Sequence, residues 1–121
     1  MKLPGPDHPI AIEPARERVR VMLDGVAVAD TTRALVLREA AYQPVFYIPR
    51  EDTQLALLTR SAHTTHCPYK GDASYYTIRA GGRVSENAIW SYEEPYPAMR
   101  PIAGHLAFYP NRVDAIEVTK A

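Results

Sequence analysis

Apolar and polar residues alternate along most of this chain with the two-residue period of a β-strand. The runs Arg18-Val19-Arg20-Val21-Met22-Leu23 and Val26-Ala27-Val28-Ala29 flank Asp24-Gly25, and Asp-Gly between such runs predicts a hairpin closed by a two-residue turn. Residues 33–39 read as a further strand, with Ala34, Val36 and Arg38 on one face and Arg33, Leu35, Leu37 and Glu39 on the other. The larger leucines turn the second face inward and carry Glu39 to the rim of the core. Val45-Phe46-Tyr47-Ile48 is β-branched and aromatic and ends at Pro49, as a strand does. Residues 51–60 give the single helix prediction: acidic residues open the segment, and Leu55, Leu57 and Leu58 make a short apolar face.

The second half continues in the same way. Residues 61–72 read as a loop, 74–79 as a strand around Tyr75 and Tyr76, and Gly81-Gly82 as a turn. Residues 83–92 supply one or two strands containing Trp90; residues 93–101, with three prolines, make a long excursion. Residues 102–109 and 113–118 close the pattern as an expected strand pair. Residues 1–16 hold four prolines without periodicity and read as an extended N-terminal arm. The fold class that follows is mainly β, one compact antiparallel domain over residues 1–121 with its core at about 17–118 and one short helix.

Composition narrows the partners. A chain of 121 residues with 46% hydrophobic and 23% charged residues has an ordinary globular make-up. Fourteen basic side chains balance fourteen acidic ones, eight against eight in residues 1–60 and six against six in 61–121. No basic face of the kind that holds a phosphate backbone stands out, nor a basic cluster for a membrane surface, so neither a nucleic-acid nor a membrane partner is expected. No apolar run suits a signal peptide or a membrane span, which points to the cytoplasm. Of the three lysines, Lys2 and Lys120 lie at the ends, leaving Lys70 as the one amine in the body of the chain. Eight tyrosines against two phenylalanines fit a polar-lined cavity or an interface, and amphipathic surface strands equally well.

The only cysteine, Cys67, stands three residues before Lys70 in Cys67-Pro68-Tyr69-Lys70-Gly71. An ammonium roughly 5 Å from sulfur favours the thiolate by about 0.8 kcal/mol in water and about 3.3 kcal/mol at an effective dielectric of 20. The pentapeptide therefore marks either a nucleophilic thiol or a small buried side chain beside a snorkelling lysine. Glu39, with Arg33 on the same strand face, is a candidate base at a cavity mouth. Trp90 and Tyr92 share a face by parity, as do Tyr75 and Thr77, and supply aromatic walls or plain core. His63, His66 and Cys67 bear donors suited to zinc or copper, but one thiol and this spacing chelate poorly. No metal and no cofactor are expected.

These residues resemble a widespread bacterial family of short domains of unknown function, some members of which are labelled nucleotidyltransferase-like. The resemblance runs through Ala29-Asp30, Leu37-Arg38-Glu39, Tyr47-Ile48-Pro49-Arg50-Glu51-Asp52, Cys67-Pro68-Tyr69-Lys70-Gly71-Asp72, Trp90-Ser91-Tyr92 and Gly104-His105-Leu106-Ala107-Phe108-Tyr109. It implies a tent-like β fold of two antiparallel sheets meeting at an angle. Domains of that form that bind zinc or reduce methionine sulfoxide hold their metal with two Cys-x-x-Cys pairs, which a chain with one cysteine lacks. Nucleotidyl transfer calls for clustered carboxylates that hold two metal ions, and no Asp-x-Asp or Asp-x-Glu pair occurs.

Two functional classes remain. In the first, a small anionic or electrophilic ligand is bound or transformed in a pocket with Cys67, Lys70 and Glu39 as candidate catalytic residues and Arg33, Tyr75, Trp90 and Tyr92 as its walls. In the second, a non-catalytic module meets a protein partner through its Tyr-rich surface and the proline excursion. The pairing of the lone cysteine with the lone interior lysine favours the first.

Overall fold

The computed structural model describes residues 1–121. Ten strands form three antiparallel sheets, and four short 3-10 turns join them. The first hairpin is present: β2 (Glu17–Leu23) pairs with β3 (Val26–Thr31), and Asp24 and Gly25 take the positive φ values, 48° and 76°, of a type I′ turn. A third strand, β10 (Ala115–Lys120), lies on the other side of β2. β1 (Ile10–Pro14), β4 (Leu35–Glu39) and β5 (Val45–Tyr47) make the second sheet in the order β1-β4-β5. The third contains β6 (Leu58–Cys67), β7 (Gly71–Ala80), β8 (Arg83–Ser91) and β9 (Ala107–Phe108) in sequence order.

The expected antiparallel β class holds, with three sheets in place of two. Four local readings differ from the structure, each for a physical reason. The expected helix at 51–60 is two separate 3-10 turns, Arg50–Asp52 and Leu55–Leu57. Between them the edge of β3 captures the backbone: Thr53 bridges Ala29, and Gln54 donates its N–H to the Val28 carbonyl and its side-chain amide to that of Ala27. The expected loop at 61–72 is mostly strand, because β6 is a sheet edge and its threonines and histidines need no buried face. The proline-rich arm contributes β1, where edge pairing with β4 alone tolerates Pro14. Its first residues are docked as well, since the Lys2 N–H donates to the Pro68 carbonyl at 2.7 Å. The expected closing pair does not form: β9 pairs with β8, and β10 with β2.

Two buried clusters result. The larger gathers Val19, Val21, Leu23, Val28, Val36, Ile48, Ile78, Ile89 and Leu106 with smaller neighbours. The second contains Leu37, Tyr47, Tyr75, Tyr92, Met99 and Ile102. β4 stands between them and sends Val36 into the first and Leu37 into the second, so a strand with two apolar faces is buried on both. The proline excursion is part of this packing, with Met99 and Ile102 buried on a 3-10 turn at Pro97–Ile102.

Candidate functional site

A two-residue period places Glu39 on the Leu37 face of β4, at the end of the second cluster. Across from it, the β6–β7 connection is only Pro68-Tyr69-Lys70. Gly71 opens β7 at a φ of 113°, a conformation suited to glycine, and a β-carbon added there would lie 3.6 Å from the backbone of Pro95 and Tyr96. The Tyr96 N–H donates to the Lys70 carbonyl at 2.9 Å. Turn, glycine and proline excursion thus fix the lysine backbone, and its side chain runs inward until the residue is only 6% exposed.

The Lys70 ammonium donates to Glu39 Oε1, and His8 Nε2–H donates to Glu39 Oε2 at 2.7 Å. Burial pushes the Glu39 carboxyl up, but the hydrogen bonds from Lys70 and His8 outweigh it and hold the group below the usual glutamate range. His8 itself is stacked on Tyr69 with ring centroids 4.1 Å apart and planes 7° from parallel. Cys67 Sγ lies 3.7 Å from the Lys70 ammonium and is not among the residues that line the cavity beside it.

Beside the ion pair opens a cavity of about 280 Å³. Lys70 and Glu39 form its charged end, and Tyr42, Tyr47, Tyr75, Tyr92, Tyr109 and Trp90 most of its wall. Three hydroxyls run in a chain, Thr65 to Tyr75 at 2.9 Å and Tyr75 to Tyr109 at 3.2 Å. The Trp90 indole N–H donates to the Tyr47 hydroxyl at 3.3 Å. Tyr92 is 8% exposed, and its hydroxyl makes no hydrogen bond within the chain. Burial pushes the Tyr47 and Tyr92 phenols far above the ordinary range and that of Tyr109 up to about 12. At neutral pH the wall therefore offers neutral hydroxyls, and the charges at its end cancel.

Of the seven residues singled out from sequence, Lys70, Glu39, Tyr75, Trp90 and Tyr92 meet at this cavity. Cys67 touches it only through Lys70. Arg33 lies elsewhere: β4 begins at Leu35, so strand parity does not reach it, and it pairs with Asp52 at 3.0 Å and with Glu51 at 3.7 Å. His8, Tyr47 and Tyr109 are the additions. Nothing in the aperiodic arm marks His8, while the tyrosine excess foreshadows the other two, since five of eight tyrosines line one cavity. His63 and His66 face other tasks, His63 edge-on to Tyr75 and His66 hydrogen-bonded through Nδ1 to Asp72 at 2.7 Å. No group of three or more histidine, cysteine, aspartate or glutamate side chains is arranged to hold a metal ion. No helix is long and apolar enough to cross a membrane.

Compared with known families, residues 11–119 match the one described as a domain of unknown function (DUF427). No curated protein matches the chain.

Proposed function

The chain belongs to the DUF427 family, and we propose that its tyrosine-lined cavity takes up a small, neutral, electrophilic molecule with a polarised carbonyl group. The observation that carries this reading is the Tyr92 hydroxyl, which has no partner within the chain and stays open to the cavity, while the Tyr47, Tyr75 and Tyr109 hydroxyls beside it are paired. A hydroxyl left free on a cavity wall is a ready donor, and a carbonyl oxygen accepts from it. The Lys70 ammonium at the cavity end polarises the same group. Charge favours a neutral ligand over an anion, because Glu39 already occupies the ammonium and repels a second carboxylate. Lys70, held as an ammonium by Glu39, polarises the electrophile and does not attack it, and Cys67, 3.7 Å from that ammonium, is the one thiol near the site.

Trp90 is the only tryptophan of the chain and lines the cavity, so its fluorescence reports occupancy. Titration with 2-butanone should shift Trp90 emission saturably, and butanoate at equal concentration should bind at least ten-fold more weakly. Tyr92→Phe, which removes one hydroxyl, should weaken 2-butanone roughly five- to ten-fold, the range of a single net hydrogen bond of about 1–1.5 kcal/mol. Equal binding of ketone and carboxylate, or an unaffected Tyr92→Phe, overturns the reading.

A further inference from the structure

A second cavity adjoins the first. Its volume is about 200 Å³, and no charged side chain lines it. Val19 and Val21 of β2, Phe46 of β5, Phe108 of β9 and Ile116 of β10 form its floor and sides, and Gln43 is its one polar side chain other than the Trp90 indole. Protein interiors are ordinarily filled to crystal density, and an apolar hollow forfeits contacts on every wall. Water gains little there because it finds few hydrogen-bond partners.

The two cavities share two lining residues, Val45 and Trp90, and no others. Both are only partly buried and line both hollows, so the two cavities adjoin at the Val45–Trp90 ridge. One hollow is polar at its end and neutral in charge; the other is apolar except for Gln43 and the Trp90 indole. We infer that the ligand is amphiphilic: its carbonyl head sits among Lys70, Tyr92 and the other hydroxyls, and an unbranched hydrocarbon tail crosses the Val45–Trp90 ridge into the apolar cavity. A methylene takes about the volume of a water molecule, roughly 30 Å³, so the second cavity accommodates a tail of about six or seven carbons. The substrate class is a medium-chain carbonyl compound. This rests on the reading of the first cavity as a carbonyl site and adds the tail.

The experiment is a chain-length series of methyl ketones, from 2-butanone to 2-undecanone, titrated into the full chain with Trp90 emission as the readout. The dissociation constant should fall about four-fold with each added methylene, the transfer gain of one CH₂, and level off near 2-nonanone. A tail that ends in a charge should be refused by a cavity without charged partners, so 7-oxooctanoate should bind at least 100-fold more weakly than 2-octanone. Ile116→Phe, which narrows the second cavity by about the volume of one methylene, should end the gain about one carbon earlier in the series and leave 2-butanone unchanged. Saturable 2-butanone binding with no gain along the series overturns the tail inference and leaves the carbonyl site standing. So does 7-oxooctanoate binding as tightly as 2-octanone, a comparison that needs no variant, or an undiminished series in folded Ile116→Phe. If no ketone of any length perturbs Trp90, the carbonyl site itself is wrong.

Discussion

Lys70 is held by a carboxylate and in turn lies against a thiol, so removing its charge has two separable effects. Lys70→Met keeps the stem and leaves Glu39 with His8 as its only partner. A half-emptied buried pair costs more than an exposed one, but Glu39 retains 14% side-chain exposure and one hydrogen bond. A loss of about 1–3 kcal/mol in urea unfolding is expected, and adding Glu39→Gln should recover at least half of it. At Cys67, the Lys70 ammonium donates toward Sγ at 3.7 Å, so the thiol shares the surroundings of the ion pair. Alkylation of native Cys67 by iodoacetamide at pH 7 should therefore change in rate in Lys70→Met. An unchanged rate, or a Cys67 that reacts only when the protein unfolds, would remove the thiol from the site. At this scale the sequence was informative where a residue type was scarce or a strand fixed its direction. A lone interior lysine beside a lone cysteine, and Glu39 in step with Leu37, both led to the cavity. Arg33 misled because parity was extended two residues beyond the strand.

The element that matters most is the β6–β7 hairpin, whose turn presents Lys70. Its polar edge strand gave no hydrophobic signal, so residues 61–67 read as loop although the pairing runs from Leu58–Ile78 to Cys67–Gly71. The same weakness hid β1, where two isoleucines lie between prolines. By contrast the β2–β3 turn was legible because Asp-Gly specifies backbone geometry directly. Gly71 has that kind of determinacy in the site itself. At a φ of 113° any side chain is strained, and an added β-carbon would also meet the Pro95 and Tyr96 backbone at ordinary contact distance. Strain, more than collision, sets the cost, and Gly71→Ala should destabilise by about 1–3 kcal/mol. It should also weaken 2-butanone binding, because the turn that aims Lys70 must shift. A Gly71→Ala protein with native unfolding midpoint and native ketone affinity would show that the turn does not position the lysine.

Across the molecule, carboxylates tie strands, turns and sheets together, and this makes its stability depend on pH in a defined direction. Asp30 accepts two hydrogen bonds from Arg18, joining β3 to β2. Asp52 accepts from Thr31 and Arg33, and Glu93 from Arg50 and Tyr76. Asp114 accepts from the Asp24 N–H and from Arg83, which fastens the first hairpin turn to the β7–β8 turn. With Glu39, all five titrate below their ordinary values of 3.8 for aspartate and 4.5 for glutamate. For Glu39 and Glu93 burial opposes the shift and the hydrogen-bonded partners overcome it; for the aspartates the hydrogen bonds lead. A folded pKa below the unfolded one means that the unfolded chain binds more protons in this range, so stability rises with pH. The contribution is complete above about pH 6, well beyond the unfolded values, and is lost as pH falls through the depressed folded ones. The urea midpoint should therefore decline steadily from pH 5 to pH 2.5. Glu39→Gln, which cannot titrate, should begin less stable at pH 5 and lose less over that interval, so that its curve converges on the native one in acid. Parallel curves would mean that the Lys70–Glu39–His8 cluster contributes nothing to acid sensitivity and that its carboxyl has the same affinity for protons folded and unfolded.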